Sequence, residues 1–176
     1  MLAKQGDGKN KINIKKITLY ALLVSVCLIV GYLESLLSLT LIAIAPGVKL
    51  GLSNAVALVL IYSGDTKGAW AVNVTRICLS ALLFGSPVSF ILSLAGGVSS
   101  TLVAGFLSRV KSVSIIGVSI ACGVIHNVFQ LVAATLFIGK GVYVYMPVLL
   151  TLGAFCGAFC GVMAGLVLNK SKLFKL

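Results

Sequence analysis

The chain has 176 residues, of which 60% are hydrophobic and only 10% charged, and its mean hydropathy is +1.17. Soluble domains carry about 25% charged residues, and a core of this length cannot hide so much apolar surface from water, so a soluble globular domain is excluded. The net charge of +11 is spread over short tracts between apolar runs, which indicates the topology of an integral membrane protein and not a nucleic-acid-binding surface.

Residues 1–16 are polar and hold five lysines against one acid, Asp7. They predict a basic cytoplasmic tail. The small residues Ala43-Ile44-Ala45 resemble the cleavage site of a signal peptide. The apolar run before them, from Ile17 to Leu33, is longer than the hydrophobic region of a usual signal peptide, and Glu34 follows it. We therefore expect an uncleaved first helix.

A polar turn follows this helix. Pro46 fixes its own φ and disfavours helix at the residue before it, and Gly47 and Gly51 permit close backbone approach. Beyond them come three hydrogen-bond donors, at Lys49, Ser53 and Asn54. In so apolar a chain this pattern favours a gate or a ligand clamp, with Pro46, Gly47 and Gly51 as the gate residues; the alternative is a simple connecting loop.

The hydrophobic pattern predicts six transmembrane helices, at 17–39, 50–63, 68–84, 88–108, 114–138 and 144–168. A span needs roughly 20 residues, so the second helix is too short alone, and part of 40–49 is expected at membrane depth as a re-entrant turn. Such backbone is tolerated only where protein or a wet cavity covers it. The predicted domains are a basic tail (1–16), a six-helix membrane domain (17–169) and a second basic tail (170–176).

The distribution of cations predicts the orientation. Eleven lysines and arginines fall in the tails and in the two loops that share their side, two (Lys49 and Lys140) fall on the other side, and Arg76 lies inside the third helix. By the positive-inside rule, both termini are cytoplasmic. The protein is expected to be a multi-pass protein of the plasma membrane.

Small residues recur at intervals of four in two helices. The sixth helix carries Gly153, Gly157, Gly161 and Gly165 on one face, which predicts close packing against another helix of this protein. In the first helix, Ala21 and Ser25 repeat the spacing near the cytoplasmic end. They are candidates for seating the helix of a partner.

Ionisable and polar groups inside a bilayer are costly, so each is a candidate functional residue. The predicted topology brings such groups from four helices to one depth, in the outer half of the membrane. They suggest a substrate-binding pocket formed by Glu34, Lys49, Asn54, Arg76, His126, Asn127 and Gln130. The alternative is structural: a Glu34–Arg76 ion pair and a histidine bonded to a carbonyl. Whether Glu34 pairs with Arg76 or with Lys49 stays open.

Several enzymatic functions lack their parts. The chain has no P-loop motif, and its three acids, Asp7, Glu34 and Asp65, are too scattered for a magnesium-diphosphate site. The one histidine has no second metal ligand nearby, and the five cysteines form no CxxC pair. Cys122 and His126 are four residues apart, a spacing that more often reflects packing than a nucleophile and its base. We therefore predict no catalytic residues, no metal and no cofactor.

Several segments carry a resemblance to a known family. They are Tyr32-Leu33-Glu34-Ser35, the turn from Pro46 to Asn54, Arg76, Leu83-Phe84-Gly85-Ser86, Ser93-Leu94-Ala95-Gly96-Gly97 and His126-Asn127-Val128-Phe129-Gln130. In this order they resemble the membrane family labelled heptaprenyl diphosphate synthase component I, also described as Gx transporters. That family is grouped with the substrate-binding S components of energy-coupling-factor vitamin transporters.

The resemblance implies an S-component-like bundle that captures a small solute and works with a transmembrane coupling protein and a pair of ATPases. Such subunits dock through an Ala-xxx-Ala face of the first helix, for which Ala21-xxx-Ser25 is the nearest match here. Two cations against one carboxylate favour an anionic solute, such as a vitamin or a precursor. The turn around Pro46 and Lys49 would close over it. The alternatives are a non-catalytic membrane subunit supporting heptaprenyl diphosphate or quinone synthesis, and a carrier without ATPases.

Overall fold

The structure is a computed structural model that describes residues 14–41 and 51–170, with the backbone alone at 37–41. These residues form six α-helices and one 3-10 helix, close to the predicted positions. The helices are α1 (Ile14–Leu41), α2 (Asn54–Tyr62), α3 (Thr66–Phe84), α4 (Pro87–Leu107), α5 (Ile115–Ile138) and α6 (Met146–Lys170), with the 3-10 helix Lys140–Tyr145 before α6. Most of the two predicted tails (residues 1–13 and 171–176) and most of the predicted turn (42–50) lie outside the described residues, while 14–16 and Lys170 belong to α1 and α6.

Local capping explains where the later helices begin. The side chain of Asp65 accepts the Gly68 N–H at 3.0 Å and begins α3. Ser86 precedes Pro87, which occupies the first turn of α4, where its missing N–H is tolerated. Ser114 accepts from the N–H three residues later and begins α5. These caps keep the connections short, so consecutive helices pack side by side.

Four stretches are long and apolar enough to cross a membrane: Ile14–Leu36, Pro87–Leu107, Ile115–Ile138 and Lys140–Lys170. The chain is thus an all-helical membrane protein. Helix α2 has nine residues, which at 1.5 Å per residue reach about halfway across a bilayer core. Helix α3 carries Asn73 and Arg76 within its apolar sequence. Six spans and the re-entrant turn stay predictions.

The predicted glycine face of α6 packs against α5. A Cβ atom added at Gly153 would lie 2.7 Å from the Gly123 carbonyl oxygen, and one at Gly157 would lie 2.6 Å from the Ser119 carbonyl oxygen. At Gly161 the nearest atom is the Ile116 Cα, at 2.8 Å. Backbones approach this closely only where side chains are missing. The prediction of close helix packing within the protein is confirmed.

Helix α1 packs mainly on α3. At one end the Tyr20 hydroxyl donates to the Asp65 carboxylate, and at the other Tyr32 and Phe84 form an edge-to-face pair with ring centroids 5.6 Å apart. Short helix α2 lies inside the bundle, with Leu60 fully buried. The buried start of α2 is where the polar side chains of the bundle meet.

The two candidate docking residues of α1 are exposed. The Ser25 hydroxyl donates to the Ala21 carbonyl at 2.9 Å, so this face has little need of a polar partner. Leu22 and Val26 beside them are 59% and 43% exposed. The face is available to lipid or to another helix, and its role in docking stays a prediction.

Candidate functional site: an arginine cluster

The Arg76 guanidinium is held by three neutral side chains. Its Nη1 donates to the Ser53 hydroxyl at 2.7 Å, its Nη2 to the Asn54 Oδ1 at 2.6 Å, and its Nε to the Asn73 Oδ1 at 2.9 Å. A guanidinium has five N–H donors, so two remain on the terminal nitrogens. Neutral oxygens stabilise the cation without cancelling its charge.

Asn73 is itself fixed by helix α4. It is 1% exposed, and its Nδ2 donates to the Gly97 carbonyl at 3.0 Å and to the Thr101 hydroxyl at 2.8 Å. It precedes Arg76 by three residues, so the two side chains share a face of α3. Asn73 therefore holds the guanidinium in place and ties it to α4.

His126 joins the cluster through Asn54. The Asn54 Nδ2 lies 3.0 Å from the His126 Nδ1, an arrangement in which the amide donates to the unprotonated ring nitrogen. A Cβ added at Gly96 would lie 2.8 Å from the imidazole, and one at Gly51 would lie 3.1 Å from the Asn54 Nδ2. Gly51 also has φ +74°, a conformation that favours glycine. Both glycines give the histidine and asparagine the room they occupy.

Glu34 connects the end of α1 to the start of α2. Its Oε1 accepts the Leu52 N–H at 2.5 Å, and the side chain is buried. The Cys27 thiol, about two turns earlier on the same face of α1, lies 3.7 Å from the Ser53 carbonyl oxygen. Glu34 thus helps to place Ser53 and Asn54, the two residues at the start of α2 that hold Arg76.

Between the residues that the structure describes, the one ion pair joins Lys16 and Asp65, at 3.9 Å. Glu34 and Arg76 line the same cavity without reaching ion-pair distance of each other. The structural alternative of a direct Glu34–Arg76 ion pair is therefore wrong. Lys49, the other candidate partner of Glu34, lies outside the described residues, as do the gate residues Pro46 and Gly47.

A cavity of about 30 Å³ lies beside the cluster. It is large enough for one or two water molecules. Helices α1, α3, α4 and α5 and the start of α2 all contribute to its wall. The lining residues are Cys27, Gly31, Glu34, Gly51, Ser53, Arg76, Ser80, Phe84, Ser93 and His126. The structure thus brings four helices and three of the predicted ionisable residues to one hollow.

Two predicted site residues lie elsewhere. Asn127 donates through Nδ2 to the Leu149 carbonyl at 2.7 Å, and it faces α6 because one residue along a helix turns the side chain by about 100° from His126. Gln130 is 4% exposed and follows His126 by one turn, yet it does not line the cavity. Neither Asn127 nor Gln130 lines the cavity beside the arginine cluster.

Asn73 was not among the site residues predicted from the sequence, and Ser53 was predicted only as a hydrogen-bond donor of the turn. The contact of Asn73 with Arg76 could have been predicted, because an amide three residues before an arginine lies on the same helix face. Ser53 was noted as a donor, whereas in the structure its hydroxyl accepts from Arg76. Nothing in the sequence indicated that Gly96 makes room for the His126 ring, although Gly96 belongs to a motif of small residues.

The fold and the cluster define an all-helical membrane protein that holds a partly buried arginine among polar side chains. The chain belongs to the heptaprenyl diphosphate synthase component I family, whose sequence model matches residues 23–167. The resemblance to this family is confirmed, and the match includes all the residues of the cluster. No curated protein and no solved structure matches the chain.

Proposed function

We propose that the protein is a membrane-embedded, non-catalytic binding subunit that holds an anionic compound at Arg76 and supports heptaprenyl diphosphate synthesis. The observation that carries the proposal is the guanidinium held at 2.6–2.9 Å by three neutral oxygens beside a small polar cavity. A partly buried cation of this kind retains its charge and attracts an anion.

The depth of Arg76 supports a binding role. It comes eleven residues after Asp65, which places it about 16 Å along α3, near the middle of a hydrocarbon core of roughly 30 Å. Gly96 and His126 also lie near the middle of their helices. A charge there is expensive unless it serves a ligand or a fixed partner, and the partners seen here are neutral.

The chemistry of the proposed ligand follows from the guanidinium. Arginine pairs with carboxylate or phosphate through two parallel N–H bonds. A diphosphate offers several such oxygens, and the family's name describes a component of a synthase that makes one. Because the cavity holds one or two waters, a larger anion requires the end of α1 and the start of α2 to separate, with loss of the Glu34–Leu52 hydrogen bond.

The test is binding of inorganic diphosphate to the full chain in phosphatidylcholine nanodiscs, measured by isothermal titration calorimetry. Arg76→Gln should lower the affinity at least tenfold, because it removes the charge inside the cluster. Arg109→Gln removes one charge from an exposed loop residue and should leave the affinity within twofold of wild type. Equal affinities for wild type and Arg76→Gln would refute the anion site.

A second candidate is an uptake subunit for a small anionic solute, working with a coupling protein and ATPases. The observation that favours it is the exposed Ala21 and Ser25 on α1, where such a partner would dock. Gentle purification from cell membranes separates the candidates: a prenyl diphosphate synthase chain bound to the protein supports the first, and coupling ATPases support the second. Ala21→Leu should abolish co-purification of the coupling ATPases and leave co-purification of a prenyl diphosphate synthase chain unchanged.

A further inference from the structure

The Asn54 side chain connects Arg76 to His126, and the direction of its amide is fixed. Its Oδ1 accepts from the Arg76 Nη2 at 2.6 Å, and its Nδ2 lies 3.0 Å from the His126 Nδ1. A guanidinium only donates hydrogen bonds, so the amide oxygen has to face Arg76 and the amide nitrogen has to face His126. The chemistry of arginine alone therefore decides which way round the amide lies.

The amide in turn fixes the hydrogen of the imidazole. An amide nitrogen only donates, so the His126 Nδ1 accepts and carries no hydrogen. The hydrogen of the neutral ring is then on Nε2. Arg76 thus selects one neutral tautomer of His126 through a single intervening side chain.

The imidazole has little room to escape this constraint by moving. His126 is 4% exposed, and a Cβ added at Gly96 would lie 2.8 Å from its Nδ1 and 2.9 Å from its Nε2. The ring therefore lies close against the backbone of α4. A change at Nδ1 has to be met by the partner of that nitrogen.

Protonation of His126 conflicts with the contact to Asn54. Because Nε2 already holds a hydrogen, a proton adds to Nδ1, and Nδ1 and the Asn54 Nδ2 are then both donors. Turning the amide over does not help, since its nitrogen would then face the Arg76 guanidinium. The protonated Nδ1 therefore needs a new acceptor. An anion in the cavity that His126 and Arg76 both line is such an acceptor.

The charges around the cavity favour one added proton. The titratable residues that line it with His126 are Arg76 of α3 and Glu34 and Cys27 of α1, and Cys122 lies one turn before His126 on α5. With Glu34 ionised, Arg76 and Glu34 sum to zero charge, so an anion that joins them leaves this part of the bundle negative. A proton on His126 offsets that charge.

The other elements around His126 add no carboxylate. Helix α4 has no titratable residue between Pro87 and Leu107, and α2 carries one, Tyr62, at its far end. Helix α6 and the 3-10 helix also pack on α5. Towards α5 and the outer end of the bundle they bring Cys156, Cys160, Lys140, Tyr143 and Tyr145.

We infer that His126 takes up one proton when an anion binds at Arg76, and that Asn54 couples the two events. The inference rests on the proposed function for the anion itself. The proton comes from water and adds to Nδ1, the hydrogen bond from the Asn54 Nδ2 breaks, and the imidazolium donates to the anion. Anion and proton then each raise the affinity for the other by the same factor.

The protonation state of His126 can be observed directly, because the chain has a single histidine. The experiment records nitrogen-15 spectra of the labelled imidazole in the full chain, free of any affinity tag, in phosphatidylcholine liposomes near neutral pH. The probe is sulfate, whose charge does not change in this range. Without sulfate, Nδ1 should be unprotonated and Nε2 protonated. With saturating sulfate, both nitrogens should be protonated.

Calorimetry with sulfate measures the same coupling as a pH dependence. Wild type should bind sulfate at least tenfold more weakly at pH 8 than at pH 6, a range across which histidine ordinarily titrates. His126→Gln replaces the imidazole with a polar group that does not titrate, so its affinities at the two pH values should agree within twofold. Glu34→Gln removes the other titratable group and should retain at least a fivefold dependence.

The remaining outcomes separate this inference from the anion site. A ring that has its hydrogen on Nδ1 before sulfate is added, or that stays neutral when sulfate is bound, overturns the coupling and leaves the anion site intact. The same conclusion follows if Glu34→Gln abolishes the pH dependence and His126→Gln keeps it. Absence of sulfate binding to a chain that binds inorganic diphosphate also overturns the coupling alone, whereas failure of both anions to bind overturns both proposals. The spectra require no variant, so they decide even if His126→Gln does not fold.

Discussion

Arg76 shows how a cation within an apolar helix is held by neutral side chains in the described part of the bundle. Ser53, Asn54 and Asn73 each supply one oxygen at hydrogen-bond distance. Charge-assisted hydrogen bonds are stronger than neutral ones, so three of them offset part of the cost of removing the guanidinium from water. The side chain is stabilised and oriented, and its charge is still available to a ligand.

Asn73 should be the most sensitive of the three partners. Asn73→Ala removes its hydrogen bonds to Gly97 and Thr101 as well as the one to Arg76, and it leaves buried groups without their partner. We expect a loss of about 1–3 kcal/mol in stability, measured by denaturation in mild detergent. Thr75→Ala, at an exposed position of the same helix, should change stability by less than about 0.5 kcal/mol. Comparable losses in the two variants would contradict this role of Asn73.

Gly96 tests the space around the histidine. In Gly96→Ala the new methyl group would lie 2.8 Å from the His126 ring, so the ring must move and its contact with Asn54 weakens. The expected result is lower thermal stability together with at least a fivefold loss of anion affinity. Gly105→Ala is the control on the same helix, because a Cβ there meets nothing within 4 Å. If Gly96→Ala keeps the thermal stability and the anion affinity of wild type, His126 is not tightly enclosed.

For single residues, the sequence predicted members of the site where a polar residue interrupts an apolar run. Arg76, Glu34 and His126 are conspicuous for that reason. Asn127 was misplaced because neighbours in sequence point about 100° apart on a helix, and no polar contrast distinguishes it from His126. Asn73 was overlooked because a single amide in a weakly apolar helix is ambiguous until its neighbour Arg76 is considered.

Helix α2 is the element on which the site depends. It spans nine residues, and Glu34 of α1 accepts the Leu52 N–H just before it. The short apolar run and the polar turn in the sequence predicted an unusual second helix. The predicted pocket already combined Asn54 with Arg76, which are hydrogen-bonded in the structure. It did not include Ser53, because the position of that hydroxyl depends on how α1, α3 and α6 pack around the start of α2.

Packing of α5 on α6 can be tested along one row of glycines. Gly157→Ala places a methyl group 2.6 Å from the Ser119 carbonyl oxygen, where only a backbone shift can relieve the clash. Overpacking of this kind costs about 1–3 kcal/mol. Gly165→Ala is the matched control, because its nearest neighbour is the Ile115 Cγ2 at 3.8 Å, an ordinary contact. Thermal unfolding should rank wild type and Gly165→Ala well above Gly157→Ala. The reverse order would mean that the two helices separate readily.

The turn between α2 and α3 should make stability depend on pH. Burial raises the pKa of Asp65, but hydrogen bonds from Tyr20 and the Gly68 N–H, with the charge of Lys16, more than offset this and lower it below its ordinary value. A lowered pKa in the folded state stabilises the fold above the unfolded-state value of about 3.9. That contribution is lost as the pH falls through the folded-state pKa.

The measurement is the unfolding temperature between pH 3 and pH 7 for wild type and Asp65→Asn. The difference between the two should be constant above about pH 5 and shrink as Asp65 protonates. A difference that grows towards low pH would contradict the lowered pKa.

At the scale of the whole molecule, the sequence predicted a helical membrane protein and its approximate helix boundaries. No sequence pattern predicted the apolar cavity between α1, α2 and α6. Apolar residues such as Val56 and Met163 give the same pattern whether their side chains face lipid, a core or a ligand. Burial of the cluster could be expected from the cost of charge in a bilayer. Which helices leave a gap between them depends on packing that composition does not encode.

The predicted orientation can be tested with two engineered thiols. Ser112→Cys lies in the exposed α4–α5 loop and Gly141→Cys at the opposite end of the bundle, where its Cβ meets nothing within 4 Å. A membrane-impermeant maleimide should label Gly141→Cys in intact cells, and Ser112→Cys only after permeabilisation. Wild type, with its five native cysteines, gives the background. Labelling of Ser112→Cys alone in intact cells would reverse the topology.

The position of Arg76, near the middle of α3, has an electrical consequence. If Arg76 binds an anion at the proposed depth, that ion passes through roughly half of the membrane's voltage drop from either aqueous phase, and its binding is electrogenic. Moving one charge fully across 100 mV is worth about 2.3 kcal/mol, and half of that is about 1.1 kcal/mol. In vesicles polarised to 100 mV, reversing the sign of the potential changes this energy by about 2.3 kcal/mol, so the affinity for a monoanion that binds without a proton should change roughly 50-fold, whereas a site at the surface would not respond.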